Sequence, residues 1–265
     1  MKTNIQKEKW MRNIEDKLYG DEVYDDWGQP VGHPHYMKCA KLNDISKGNW
    51  DEFWGLQQFT GSMLNPKTLT LINYFASIST GTILEIGAFT GGATISAGNG
   101  LSKRSKNEST MIAIEAGFSR GSEWSADTSA MPPRWQSHGV SSRDVFSILS
   151  NHVKAYNLEE KVNLFEGYSN DSNILEKIIP ILEKDPIGLL IIDADGNLAR
   201  DLNIYLQYVK KGGYLIFDDY VMVPQYRNQH DKATPTQAAV HSLVNYGVAR
   251  SLGLYPHGTW FGQKL

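Results

Sequence analysis

The chain has 265 residues, of which 41% are hydrophobic and 21% charged, and a formal net charge of −3. That length can bury a sizeable core as one domain with an extension, and so slight a negative charge gives no electrostatic basis for a nucleic-acid partner. Cys39 is the only cysteine, which excludes an intramolecular disulfide and a cysteine-rich metal site.

Residues 1–60 read as an N-terminal extension: a charged helical stretch that passes into the aromatic, turn-rich run from Tyr24 to Trp54. Such a segment suits a lid over a site or the contact of a homodimer. The first residues carry Lys2, Lys7, Glu8 and Lys9 with no apolar core behind them, and the longest apolar run, around Leu189 to Ile192, is too short to cross a bilayer. A cytoplasmic protein without a membrane partner is expected.

Residues 61–265 alternate two periodicities, the pattern of βαβ units and a mainly parallel sheet. Asn65 followed by Pro66 marks a helix start, with Leu69, Leu71, Ile72 and Phe75 as its apolar face. Thr82-Ile83-Leu84 is a first strand, Met111 to Ile114 a second, Val162 to Phe165 a third, Ile187 to Ile192 a fourth and Tyr214 to Phe217 a fifth. Between them, Val145, Ile148, Leu149, Val153 and Tyr156 recur at helical spacing behind the cap candidates Ser141 and Ser142. Ile174, Leu175, Ile178, Ile179 and Leu182 do the same behind Asn170-Asp171, with a bend expected at Pro180.

A further stripe, Leu198, Leu202, Tyr205, Leu206 and Val209, is expected to end in Lys210-Lys211-Gly212-Gly213, with cations at the negative helix end and a glycine cap. Thr234-Pro235 opens a last helix reaching about Arg250, and Leu254 to Phe261 reads as a closing hairpin. The expected fold is α/β: a Rossmann-like, doubly wound, mainly parallel sheet with a C-terminal antiparallel hairpin and the N-terminal extension. An insertion at residues 116–140, carrying Trp124, Met131, Pro132, Pro133 and Trp135, interrupts it. Loops of that length in compact domains are usually functional or disordered, and exposed indoles argue against disorder.

The most specific local pattern is Glu85-Ile86-Gly87-Ala88-Phe89-Thr90-Gly91-Gly92, where a strand runs through glycines into a helix. Its E-x-G-x-x-x-G spacing differs from the G-x-G-x-x-G of pyrophosphate-binding folds, so a nucleoside ligand without phosphates is favoured. Ligands of open parallel sheets bind at the carboxyl ends of the strands. There the chain places Glu85, Gly87, Ala88 and Gly91 after the first strand, and Glu115 after the second, suited to ribose hydroxyls. Tyr168 and Ser169 follow the third as candidates for the base pocket. Asp193 and Asp195 end the fourth strand and Asp218 and Asp219 the fifth, four carboxylates whose mutual repulsion a hard divalent cation would relieve.

Taken together, Glu85-Ile86-Gly87 with Gly91, Glu115, Asp193-Ala194-Asp195 and the Gly212-Gly213 to Asp218-Asp219 strand resemble the class I S-adenosylmethionine-dependent methyltransferases, in their metal-dependent O-methyltransferase branch. The resemblance covers roughly residues 60–265. The catechol and caffeoyl-CoA pattern continues with lysine where this chain has Gly196 and pairs aspartate with asparagine where it has Asp218-Asp219, so the macrocin-type enzymes, which methylate sugar or aromatic hydroxyls, are the better match. The resemblance implies S-adenosylmethionine as cofactor, bound by the nucleoside-site residues and Asp193. It implies Mg2+, or Mn2+ or Ca2+, on Asp193, Asp218 and Asp219, with Asp195 as general base. The acceptor would be the hydroxyl of a small molecule, selected by the extension, the insertion and the region of His230, His241, His257 and Trp260. Two alternatives use the same fold: a hydroxylase resembling the cephalosporin hydroxylase branch, and a non-catalytic subunit that binds the cofactor.

Overall fold

The computed structural model describes residues 50–104, 110–117, 145–220, 232–255 and 258–265. Most of the N-terminal extension, nearly all of the insertion with its tryptophans, Ser141, Ser142, His230 and His257 lie outside the described residues.

Seven strands form one sheet: β1 (Thr82–Ile86), β2 (Met111–Glu115), β3 (Val162–Glu166), β4 (Ile187–Ile192), β5 (Val209–Phe217), β6 (Ala249–Tyr255) and β7 (Thr259–Lys264), in the order β3-β2-β1-β4-β5-β7-β6. The first five run parallel, and β7 lies antiparallel to both β5 and β6. This is the Rossmann-like sheet with a closing hairpin. Among the described residues the helices are α1 (Trp50–Thr60), α2 (Pro66–Ile78), α3 (Gly92–Leu101), α4 (Val145–Ala155), α5 (Ser172–Lys184), α6 (Leu198–Tyr205) and α7 (Ala233–Asn245).

Alternation along the strands divides the core. Ile83, Met111, Ala113, Leu189, Ile191 and Ile216 pack with Leu69, Ile72 and Phe75 of α2, Ile95 of α3 and Leu149 of α4. Their neighbours Leu84, Ile112, Ile114, Leu190, Leu215 and Phe217 point the other way, onto Ile178 of α5, Leu202 and Tyr205 of α6 and Val240 of α7. Strands buried on both faces read as continuous apolar runs, which is why β4 is wholly buried. Helix α1, in sequence part of the extension, adds Phe53 and Leu56 to the first cluster.

Local signals account for several boundaries. The Asn65 side chain accepts the Lys67 N–H at 2.9 Å, and Pro66 opens α2 where an N–H would have no partner. Helix α5 runs through Pro180 to Lys184. Lys210-Lys211-Gly212-Gly213 does not cap a helix: a single 3-10 turn, Leu206–Tyr208, ends α6, and β5 already begins at Val209. The extra residues are absorbed in the β4–β5 register, which steps from Ile187↔Val209 to Leu189↔Tyr214. The last helix stops at Asn245, and Arg250 lies in β6, pairing with Gln263. Trp260, expected near the acceptor, is fully buried, stacked on Phe217 at 5.4 Å and donating its indole N–H to Ser251 Oγ at 3.1 Å.

Two features at the end of β1 support the rim. Gly87 has φ +86°, and a Cβ there would lie 1.9 Å from the Asp193 carbonyl oxygen. Beneath it Glu85, 1% exposed, accepts the Thr94 hydroxyl at 2.6 Å, and burial raises its pKa from 4.5 to about 8.

Gly87→Ala incurs both a left-handed backbone and a backbone clash, a loss on the order of 3 kcal/mol, read as a fall in the denaturation midpoint. Between pH 4.5 and 8 folded Glu85 keeps a proton that the unfolded chain has released. Its stabilising contribution is therefore full at low pH and declines as pH rises, by up to about 1.4 kcal/mol per pH unit, until the folded group itself ionises. Urea melts of the wild type should lose stability relative to Glu85→Gln across that window. Parallel curves would show that Glu85 ionises freely in the fold.

Candidate functional site at the carboxyl ends of the strands

The sheet order reverses between β1 and β4: the chain moves from β1 outward to β2 and β3, then returns to β4 and β5 on the other side. A crevice opens at such a reversal because the connections leave it in opposite directions. The glycine turn after β1 and the acidic loop after β4 meet there. The Asp193 N–H donates to the Ile86 carbonyl at 2.9 Å, and the Gly87 N–H to the Ile114 carbonyl at 3.0 Å.

The turn is held from three sides. Phe89 takes a left-handed conformation, φ +49°, and its N–H donates to Glu115 Oε2 at 2.5 Å. The Gly117 N–H donates to the other oxygen of Glu115 at 2.7 Å. Burial raises the pKa of Glu115, and these two backbone donors offset part of the rise. Ala88 is buried, and its N–H faces the Ile114 carbonyl at 3.3 Å. Gly91, φ +97°, is the N-cap of α3. From α4, a ring nitrogen of His152 lies 2.7 Å from the Thr90 carbonyl. The Thr90 hydroxyl is buried without a hydrogen-bond partner among the described residues. Glu85 lies under this turn with its carboxyl engaged by Thr94, so it shapes the turn from below.

Asp193, Asp218 and Asp219 converge, each partly buried, with one carboxylate oxygen from each within 4.8 Å of the others. Burial and the charges of Asp218 and Asp219 push the Asp193 carboxyl far above the ordinary range. Burial and Asp219 raise Asp218 to about 7, against a 2.5 Å hydrogen bond donated by the Thr259 hydroxyl. Asp219 is itself left-handed, φ +59°. An all-oxygen donor set with surplus negative charge is the chemistry of a hard divalent cation. Lys232, at the N-cap of α7, places its ammonium 3.2 Å from Asp219 Oδ2.

Asp195 is not brought into this triad. Its side chain is 47% exposed and both oxygens are bound by Arg200, at 2.7 and 3.2 Å. Partial burial raises its pKa, but the Arg200 and Asn197 hydrogen bonds outweigh that and hold it below the ordinary carboxylate range. Arg200 also binds the fully buried Asp201, whose Oδ1 accepts the Ser169 hydroxyl at 2.5 Å, while the Tyr205 hydroxyl donates to the Ser169 carbonyl at 2.5 Å. Ser169 is thus built into a buried network, and the partly buried Tyr168 stays beside it with its N–H on Asp171. Arg200, Asp201, Thr259 and Lys232 were not singled out from sequence. Arg200 lies one helical turn beyond Asn197 and could have been found from that spacing; Lys232 and Thr259 reach the acids only through tertiary contact.

The methyltransferase-domain family matches residues 84–220, just over half of the chain and the span that holds the glycine turn, Glu115 and the acid triad. An uncharacterized protein of Acanthamoeba polyphaga mimivirus is 34% identical over 122 residues, 43% of this chain; the chain spans about half, 52%, of that relative's length. Among solved structures, an O-methyltransferase from Bacillus cereus in complex with SAH superposes with a TM-score of 0.56 at 15% identity, covering 85% of this chain and 97% of that one. TomG of Streptomyces achromogenes, an O-methyltransferase in complex with SAM, gives 0.53 at 12% identity, covering 86% and 99%. At those identities the likeness is one of fold. No helix among the described residues is long and apolar enough to cross a membrane. On the extent of the domain match, the chain belongs to the methyltransferase-domain family.

Proposed function

We propose that this protein transfers a methyl group from S-adenosylmethionine to a hydroxyl of a small-molecule acceptor, a sugar, catechol or other natural product, with a divalent cation held by Asp193, Asp218 and Asp219. The observation that carries the reading is the meeting of the glycine turn and the acid triad at one reversal of the sheet, joined by the Gly87–Asp193 contact. The O-methyltransferase names of the structural neighbours support the hydroxyl as acceptor.

The residues fit both groups. The unpartnered Thr90 hydroxyl and the backbone of Gly87, Ala88 and Gly91 offer polar contacts in a turn that ends at a helix N-terminus. Glu115, oriented by two backbone donors, presents a carboxylate suited to ribose hydroxyls. Tyr168 is the candidate for the base pocket, with Ser169 holding its loop. The donor supplies a methyl carbon on a positively charged sulfur, whose C–S bond breaks as the acceptor oxygen bonds the carbon. A cation on the triad would polarise the acceptor hydroxyl and lower its pKa. The protein's own contribution is chiefly placement, worth up to about 7 to 11 kcal/mol for well-aligned reactants. Asp195 takes the acceptor's proton in this scheme. Its pairing with Arg200 keeps it ionised and able to accept a proton but lowers its basicity, which leaves the acidifying of the hydroxyl to the cation.

Labelled S-adenosylmethionine with a panel of vicinal diols and catechols should yield a methyl ether. Asp219→Asn, which removes a cation ligand that is not assigned to the donor, should lower turnover by at least roughly a hundredfold and leave S-adenosylhomocysteine affinity within about threefold. No calorimetric binding of S-adenosylhomocysteine would reject the transferase, and full turnover in excess chelator would reject the cation. Asp195→Asn should lower kcat by about a hundredfold or more with KM for the donor unchanged. Wild-type kcat in that variant would reduce Asp195 to a partner of Arg200.

A further inference from the structure

Lysine at a helix N-cap sits at the wrong end of the helix, since the exposed N–H groups there carry partial positive charge. Lys232 nonetheless opens α7 with its ammonium 3.2 Å from Asp219 Oδ2 and its side chain only 30% exposed. Two features make room for it. A Cβ on Gly196 would lie 2.8 Å from Lys232 Cγ and 3.1 Å from its Cβ, so the glycine that follows Asp193-Ala194-Asp195 is the gap through which the lysine stem passes. Asp219, with φ +59°, holds an unfavourable backbone conformation at the residue that receives the ammonium. Three chain segments thus cooperate to bring one cation to the triad.

We propose that Lys232 is a built-in counter-ion of the acid triad, compensating Asp193, Asp218 and Asp219 when no metal is bound and displaced from Asp219 as a divalent cation enters. This rests on the reading of the triad as a cation site. The physical reason is competition: a divalent ion and an ammonium seek the same carboxylate oxygens, and one cannot occupy them fully without the other withdrawing. In keeping with this, burial disfavours the charged ammonium, yet Asp219 first and then Asp193 and Asp218 raise its pKa, so all three acids act on it.

The test is Mn2+ titration of the 265-residue chain, followed by electron paramagnetic resonance or calorimetry, in wild type, Lys232→Met, Lys232→Gln and Asp193→Asn. Lys232→Met should bind Mn2+ roughly tenfold or more tightly, because no internal cation has to be displaced. Without metal it should melt roughly 3 °C lower, and saturating Mn2+ should close that gap. Lys232→Gln, which keeps most of the stem and removes the charge, should move Mn2+ affinity in the same direction and keeps the proposal open to test should Lys232→Met fold poorly. Equal or weaker Mn2+ binding in Lys232→Met, with binding abolished by Asp193→Asn, would overturn the counter-ion role and leave the cation site standing. Mn2+ binding that is absent throughout, or indifferent to Asp193→Asn, would remove the site and the inference together.

Discussion

The contact between Gly87 and the Asp193 carbonyl is the constraint on which the rest of the rim depends. β1 and β4 are adjacent parallel strands whose chains leave in opposite directions, and the two exits can touch only where one of them has no side chain. With a bare Cα at Gly87, the turn that leads into α3 lies directly on the strand end that carries the acids. The Asp193 N–H to Ile86 carbonyl bond fastens the same corner from the other side. A nucleoside held by the turn and a cation held by the acids would therefore sit on one rigid unit, and their separation would be set by backbone packing rather than by flexible side chains. Such rigidity is what in-line transfer requires, because small errors in reactant placement are costly.

Concentrating acids at that corner works against stability. Glu85, Glu115, Asp193 and Asp218 all have raised pKa values, in each case with burial as the leading cause. A chain selected for stability alone would not place them together, and buried or crowded carboxylates are the usual sign of a functional site. The relief the structure provides is local and differs by residue: a hydroxyl from Thr94 for Glu85, two backbone N–H groups for Glu115, the Thr259 hydroxyl for Asp218 and an ammonium from Lys232 for Asp219. Only the last of these is a charge.

The parts of this architecture legible in the sequence were those written in local pattern. The five parallel strands showed as short apolar or β-branched runs, the glycine turn as a strand-to-helix junction, and the acids as the residues that end those strands. Where two local rules compete, tertiary packing decided. Lys210-Lys211-Gly212-Gly213 satisfies every requirement of a helix terminus, yet β5 claims it because Val209 is buried beside Ile187. The helical reading past Asn245 failed for a similar reason, as Ala249 and Arg250 pair across to β7. Trp260 looked like a ligand-facing aromatic because a sequence does not say which face of a hairpin turns inward. Ser169 and Asp195 were visible as polar residues at strand ends, but their commitment to Asp201 and Arg200 depends on how the loops after β3 and β4 meet.

That Arg200 network changes how the two aspartates of Asp193-Ala194-Asp195 divide their work. Adjacent in pattern, they face opposite electrostatic environments: Asp193 meets two further carboxylates and is driven toward protonation, whereas Asp195 meets a guanidinium and is driven toward ionisation. Two identical side chains separated by one residue therefore carry opposed proton affinities. Arg200 spans from Asp195 to Asp201, and Asp201 accepts from Ser169, so the loop after β4 is tied to the loop after β3 as well as to the turn after β1. Among the described residues, the loops after β1, β3 and β4 are thereby joined at one strand end, so a displacement of the β4 loop would disturb the glycine turn, Asp193, Asp195 and the Ser169 network together. Loops so coupled have little freedom to move independently, and under the proposed transfer they would hold donor and cation in fixed relation whatever acceptor arrives.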